Sequence, residues 1–263
     1  MSARPEVALE SPLFNNSLSR GLTVLLVFSA GKRDMNLPEI AEATGFTKSA
    51  VQRITFTLES LGYLQKDPKT KRYGLSPKAL DLGYGYLRSN WLIDHANAYL
   101  LDLNRKCEET VNLSVPEGND MVYVSRFPSH KYIAIHMPVG SRLPMFCTAA
   151  GRAYLSALSI EQSDALIDGS VLRAYTPNTI TDKKHLRRVI REARVAGFSW
   201  ANEEYYRGDI NIGVAVRDAL GKPLGAINVS LPTSRWTLES GKEQIAPLLL
   251  ETVRALATSA PPR

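Results

Sequence analysis

Side chains able to do chemistry gather in two stretches of this sequence. In the first, Ser49, Gln52 and Arg53 sit at i, i+3 and i+4, on one face of a helix that Thr47 can cap and Lys48 opens. Arg reads guanine through paired hydrogen bonds, Gln reads adenine, and Ser or Lys holds phosphate oxygens or base edges, so this face suits the major groove of duplex DNA. Lys66, Lys69, Lys71 and Arg72 follow against one acid, Asp67, a basic turn suited to phosphate. In the second stretch, Cys147-Thr148-Ala149-Ala150-Gly151 opens a helix with small side chains that leave its first N–H groups accessible to a carboxylate. Further on, Asn228 and Ser230 alternate with Ile227, Val229 and Leu231, so both turn to one face of an apolar strand and want a polar partner there.

Catalytic and metal-binding patterns are missing. No G-x-S-x-G elbow, P-loop, G-x-G-x-x-G or H-E-x-x-H run occurs, and His95, His130, His136 and His185 have no ligand spacing. The two cysteines, Cys107 and Cys147, exclude a disulfide scaffold and a cysteine zinc site. A helix start would lower the Cys147 thiol pKa, but with no histidine placed beside it the residue reads as pocket lining. Arg207-Gly208-Asp209 reads as an ordinary turn. The expectation is a binding protein with no cofactor and no metal. The rival is a metabolite-converting enzyme fused to a DNA-binding module.

The elements that must position these residues are legible. Of the net charge of +6 carried by 263 residues, +5 falls within residues 19–78. There, Leu18, Leu22, Leu25, Leu26 and Ser29 mark an amphipathic helix, in which Ser19 and Arg20 join the candidate DNA contacts. Asn36 caps a second helix, with Pro38 in its first turn, Glu39 at the capping-box position and Leu37, Ile40, Ala41 and Thr44 as its stripe. Gly45-Phe46 turns tightly into the third helix, striped by Val51, Ile54, Leu58 and Leu61. Residues 63–66 and 72–75 read as two short strands around the basic turn. Together these predict a winged helix-turn-helix over residues 17–76, after a flexible N-terminus over 1–16.

Ser76-Pro77 starts a linker helix over 77–89 whose apolar face, Leu80, Gly83, Tyr84 and Leu87, could meet a second copy of the chain. Residues 90–263 form the second domain. A helix carries Leu92, Ile93, Ala96, Leu100 and Leu103, and Val111, Leu113 and Val115 begin a hairpin. Another strand is expected over 131–137, and helices over 149–158, 161–168 and 181–196. A second hairpin pairs 212–216 with 224–231, before a last helix over 238–257. Antiparallel hairpins flanked by helices give an α+β domain. The longest apolar run near the start, Leu22 to Ala30, is too short to span a bilayer and the first residues are unlike a signal peptide. A cytoplasmic protein with no membrane partner is expected.

Over residues 17–257 the sequence resembles the IclR family of bacterial transcriptional regulators. The resemblance rests on the winged N-terminus and linker, on Gly140-Ser141-Arg142-Leu143-Pro144-Met145 leading to Thr148-Ala149-Ala150-Gly151-Arg152-Ala153-Tyr154-Leu155, on the stretch from Gly197 through Asp218, and on Ala226-Ile227-Asn228-Val229-Ser230. It implies a GAF-like effector-binding domain, double-stranded operator DNA and a small-molecule effector as partners, and a homodimer or homotetramer. It also implies an effector site at Cys147, the Ala149 and Ala150 amides, Ala201, Asn211, Asn228 and Ser230, with Glu204, Ile212, Gly213 and Asp218 in the surrounding signature. Asn211 and Asn228 are amides, each able to donate and accept. The stretch Tyr175-Thr176-Pro177-Asn178-Thr179-Ile180-Thr181 is similar to the branch that regulates aromatic acid catabolism, which implies a small, aromatic carboxylate or an amide-like relative.

Overall fold

The computed structural model describes residues 11–30, 33–131 and 137–258. The chain divides into two compact units, residues 1–86 and 87–263.

In the first unit α1 (Asn16–Leu26) is capped by Asn15 and runs on as a short 3-10 turn. α2 (Leu37–Thr44) begins with the expected capping box: Glu39 N–H donates to Asn36 Oδ1 at 3.0 Å, and Asn36 N–H donates to Glu39 Oε2 at 2.8 Å. Gly45 follows in the left-handed region at φ 70°, and Thr47 caps α3 (Lys48–Ser60). β1 (Leu64–Lys66) and β2 (Tyr73–Leu75) form the antiparallel wing, tied to the preceding loop by paired backbone bonds between Met35 and Tyr73. Val24, Phe28, Met35, Ile40, Val51, Leu58, Leu64 and Tyr73 make the core.

Of the leucines that mark the stripe of α1, Leu25 packs against the core but Leu18, Leu22 and Leu26 are 62%, 47% and 67% exposed, while Val24 and Phe28 are fully in the core. The helix has two apolar edges, and periodicity cannot choose between them. In α3 the buried positions are Val51, Thr55 and Leu58, with Leu61 exposed beyond the helix end. Most of the expected flexible segment over 1–16 lies outside the described residues. The linker opens as a 3-10 turn at Pro77–Ala79 under the Ser76 cap and continues as α4 (Leu80–Ser89). Leu80, Leu82, Tyr84 and Tyr86 are exposed.

The second unit is built on a six-stranded sheet in the order β5-β4-β3-β8-β7-β6, every neighbouring pair antiparallel. The strands are β3 (Thr110–Glu117), β4 (Asp120–Phe127), β5 (Arg142–Pro144), β6 (Ser199–Asn202), β7 (Asp209–Arg217) and β8 (Pro223–Pro232). α5 (Trp91–Cys107) and α9 (Leu238–Thr258) cover one face, burying Val111, Leu113, Ile212, Val214, Ile227 and Val229. α6 (Ala149–Ala157), α7 (Ile160–Asp168) and α8 (Lys183–Ala196) gather a second core that holds Met121, Phe146, Tyr154, Ile167 and Leu186. This is the expected α+β, GAF-like arrangement. β5 and β6 are absent from the expectation because three or four residues show no period and, unlike the wing strands, they flank no short turn that marks a hairpin. The strand expected over 131–137 lies almost wholly outside the described residues.

Candidate functional site

The second unit's site is laid out by strand register. Arg126, Asn112, Asn228, Gly213 and Ser199 are successive cross-strand partners from β4 to β6, one row across the sheet. The next row along holds Ser230, Asn211 and Ala201, and Asp209 lies two residues beyond Asn211 on β7. Alternation places all of these opposite the α5/α9 core, on the face that α6 meets. Gly213 lets the helix come this close: a Cβ there would lie 2.8 Å from the Ala149 carbonyl group and 3.0 Å from the Ala150 nitrogen.

The start of α6 is capped by Thr148, whose Oγ1 accepts from Gly151 N–H at 3.2 Å and donates to the Pro144 carbonyl at 2.9 Å. Arg152 N–H goes to the Thr148 carbonyl. No acceptor meets the Ala149 or Ala150 N–H among the described residues. These two amides end a helix dipole and form a donor pair for an anion.

Opposite them runs a polar chain. Asn228 Nδ2 donates to Asn211 Oδ1 at 2.7 Å, Asn211 Nδ2 donates to Asp209 Oδ2 at 2.7 Å, and Ser230 Oγ lies 3.2 Å from both Asp209 Oδ1 and Asn211 Oδ1. Arg126 Nη1 donates to Asn112 Oδ1 at 3.1 Å. Two buried polar atoms on neighbouring strands have no partner among the described residues: the acceptor Asn228 Oδ1 and the donor Asn112 Nδ2. Met121, Tyr123, Leu143, Cys147, Tyr205 and Tyr206 complete the cavity wall. Tyr205 lies between Tyr175 and Tyr206, each centroid 4.7 Å away, tilted against the first and edge-on to the second.

All seven effector-site residues expected from sequence, Cys147, Ala149, Ala150, Ala201, Asn211, Asn228 and Ser230, line this one cavity. Two readings are corrected. The Cys147 thiol is not lowered but pushed up to about 12, because burial outweighs the nearby Arg152 charge. Arg207-Gly208 forms the expected turn, with Gly208 at φ 79°, but Asp209 lies outside it: it opens β7 and faces the cavity. Asp209, Asn211 and Gly213 extend the alternation of polar and apolar residues, a signal lost when the strand is started at Ile212. Arg126 and Asn112 escape for a similar reason, as isolated polar residues in strands chosen for their apolar positions.

Burial raises the Asp209 carboxyl to about 6 against the bonds from Asn211 and Ser230 that favour its charge. A folded-state pKa above the unfolded one means that the native protein takes up the proton first. Stability should therefore rise as pH falls from about 6 toward 4, and Asp209→Asn should abolish that rise. Urea denaturation of both proteins at pH 4.5 and 7 checks this; a parent less stable at 4.5 than at 7, by as much as the variant, would refute it.

In the first unit Lys48, Ser49, Gln52 and Arg53 are exposed on α3, with Thr47 occupied as the cap. Ser19 and Arg20 are half-buried, and the Arg20 guanidinium lies 4.5 Å over the Phe46 ring. Asp67 Oδ1 accepts from the Lys69 and Thr70 N–H groups, bonds that shape the wing tip, lower the Asp67 pKa and leave Lys69 and Lys71 exposed. Arg72 departs from its expected role as an open phosphate contact: it is paired with Asp34 and, at 2.7 Å, with Glu39, fastening the wing to α2.

Comparison with known proteins agrees with this division. Residues 17–68 match the IclR helix-turn-helix domain, and residues 84–258 match the bacterial transcriptional regulator IclR C-terminal domain. The chain is 34% identical to the Pca regulon regulatory protein of Pseudomonas putida, over 93% of this chain and 84% of that one. It is 30% identical to the p-hydroxybenzoate hydroxylase transcriptional activator of Acinetobacter baylyi, over 91% and 89%. The crystal structure of a putative transcriptional regulator from Rhodococcus sp. RHA1 superposes with a TM-score of 0.82 at 31% identity, covering 93% of this chain and 98% of that one. A helix-turn-helix with an exposed polar helix, joined in one chain to a cavity that carries polar groups on its wall, is what a ligand-responsive regulator requires, and the chain belongs to the IclR family of bacterial transcriptional regulators.

Proposed function

We propose that the effector is a small hydroxylated aromatic carboxylate. The observation that carries this is the pairing, in one cavity, of the open Ala149 and Ala150 amides with the unpartnered acceptor Asn228 Oδ1. The amides take the carboxylate. A ligand hydroxyl can donate to Asn228 Oδ1. Tyr123, Tyr205 and Tyr206 in the wall suit an aromatic ring between these ends. The Acinetobacter relative is, by its name, a transcriptional activator of p-hydroxybenzoate hydroxylase, an enzyme of a hydroxylated aromatic carboxylate.

On this reading the chain acts in the cytoplasm by binding rather than by turnover. α3 enters the major groove of double-stranded operator DNA through Lys48, Ser49, Gln52 and Arg53, and Lys69 and Lys71 hold phosphates. A homo-oligomer covers the exposed leucines of α1 and the apolar residues of α4. The effector switches the protein by binding more tightly to one arrangement of the two units than to the other.

Thermal melting with benzoate and the three hydroxybenzoates tests the effector. A hydroxybenzoate at 100 times its Kd should stabilise the protein by about 2.7 kcal/mol. No shift with any of the four would overturn the aromatic assignment.

A further inference from the structure

Phe56 has no place in the reading of α3 given so far. It is 69% exposed, on the side of the helix away from the buried Val51, Thr55 and Leu58. It follows Ser49 by seven residues, Gln52 by four and Arg53 by three, so all four share one face. A phenyl ring left in water at the end of a polar, cationic face calls for an occupant that is itself polyanionic yet offers an apolar contact at that point. Duplex DNA is such an occupant: phosphates answer Lys48 and Arg53, and the C5-methyl of thymine is the apolar group that its major groove displays. Glu59, the one acid of α3, lies about a turn further on, so the cationic stretch ends at Phe56.

We propose that Phe56 is a specificity-determining residue that packs on the C5-methyl of one thymine in each operator half-site. At 1.5 Å per residue it lies about 10 Å along the helix from Ser49, roughly three base pairs. The inference rests on α3 being the helix that reads DNA.

The test begins by selecting tight-binding duplexes from a random pool with the full chain. Each thymine of a half-site is then replaced singly by deoxyuridine, which removes only the methyl group, and binding is followed by fluorescence anisotropy. At one thymine the replacement should weaken the parent about three- to tenfold. Phe56→Ala should bind the thymine and uracil duplexes equally, at the weaker level, and Phe56→Leu should keep part of the difference. Half-sites indifferent to every replacement, or a methyl effect that survives in Phe56→Ala, would overturn the proposal. So would a Phe56→Ala protein that changes its oligomeric state and leaves DNA affinity intact, which would assign the ring to a second copy. Arg53→Ala separates the two readings: if it leaves affinity unchanged, α3 is not the reading helix and both fall. If it weakens binding while Phe56→Ala does nothing, only the present proposal falls.

Discussion

Arg152→Ala is expected to destabilise the protein by about 3–5 kcal/mol, the cost of leaving a buried charge without its partner. Arg152 and Glu204 are side chains with 1% and 7% exposure joined by two parallel hydrogen bonds. Arg152 Nε also donates to the Phe146 carbonyl at 2.8 Å and Nη1 to the Trp200 carbonyl at 3.0 Å, while Glu204 Oε2 accepts from Ile180 N–H at 3.1 Å. One ion pair thus fastens the turn before α6, the edge strand β6, the segment before α8 and the Tyr205 wall. Urea unfolding measures the loss. A double change, Arg152→Met with Glu204→Leu, removes both charges and should recover much of it. An Arg152→Ala protein that unfolds at the parent's urea concentration would disprove the role.

Gly151→Ala should have an effect of comparable size on effector binding. A Cβ at Gly151 would lie 2.2 Å from Met145 Cα and 2.3 Å from its carbonyl oxygen, and backbone atoms cannot rotate away as a side chain can. Relief requires the Met145–Cys147 turn to separate from α6, at about 1–3 kcal/mol of stability. That separation displaces Cys147 and the Ala149–Ala150 amides together. A hydroxybenzoate that stabilises the parent should lose most of its thermal shift, although no atom of Gly151 is needed as a ligand contact. A variant with the parent's melting temperature and full ligand shift would show that the turn tolerates the group. The small side chains of this stretch were read from sequence as opening the helix start to a ligand; at Gly151 the smallness serves close backbone packing.

The DNA-binding unit was legible because its signals are local. The Asn36–Glu39 box, the Gly45 turn, the Thr47 cap and the face of Ser49, Gln52 and Arg53 depend on residues within a few positions of each other. α1 shows the limit: its leucines follow a helical period, yet Val24 and Phe28 are the ones buried, because the period marks a helix without selecting which apolar edge meets the core. Arg72 shows it again. Its charge suggested phosphate, but Asp34 and Glu39, 38 and 33 residues away, take it.

The effector site divides along the same line. Sequence by itself determined that a helix starts at the Thr148 cap with small residues, that Asn228 and Ser230 face one way, and that a resemblance across the chain joins them in one site. Only the tertiary structure decided that Asn112, Arg126 and Asp209 share that face, since strand register brings together residues far apart along the chain, as with Asn112 and Asn228, 116 positions apart. Only the structure, too, made Arg152 and Glu204 a buried pair and set the burial that raises the Cys147 thiol. Caps, turns and periodicity are set by neighbours along the chain. Burial, cross-strand register and charge pairing are set by neighbours in space, and those are named only when the chain has folded.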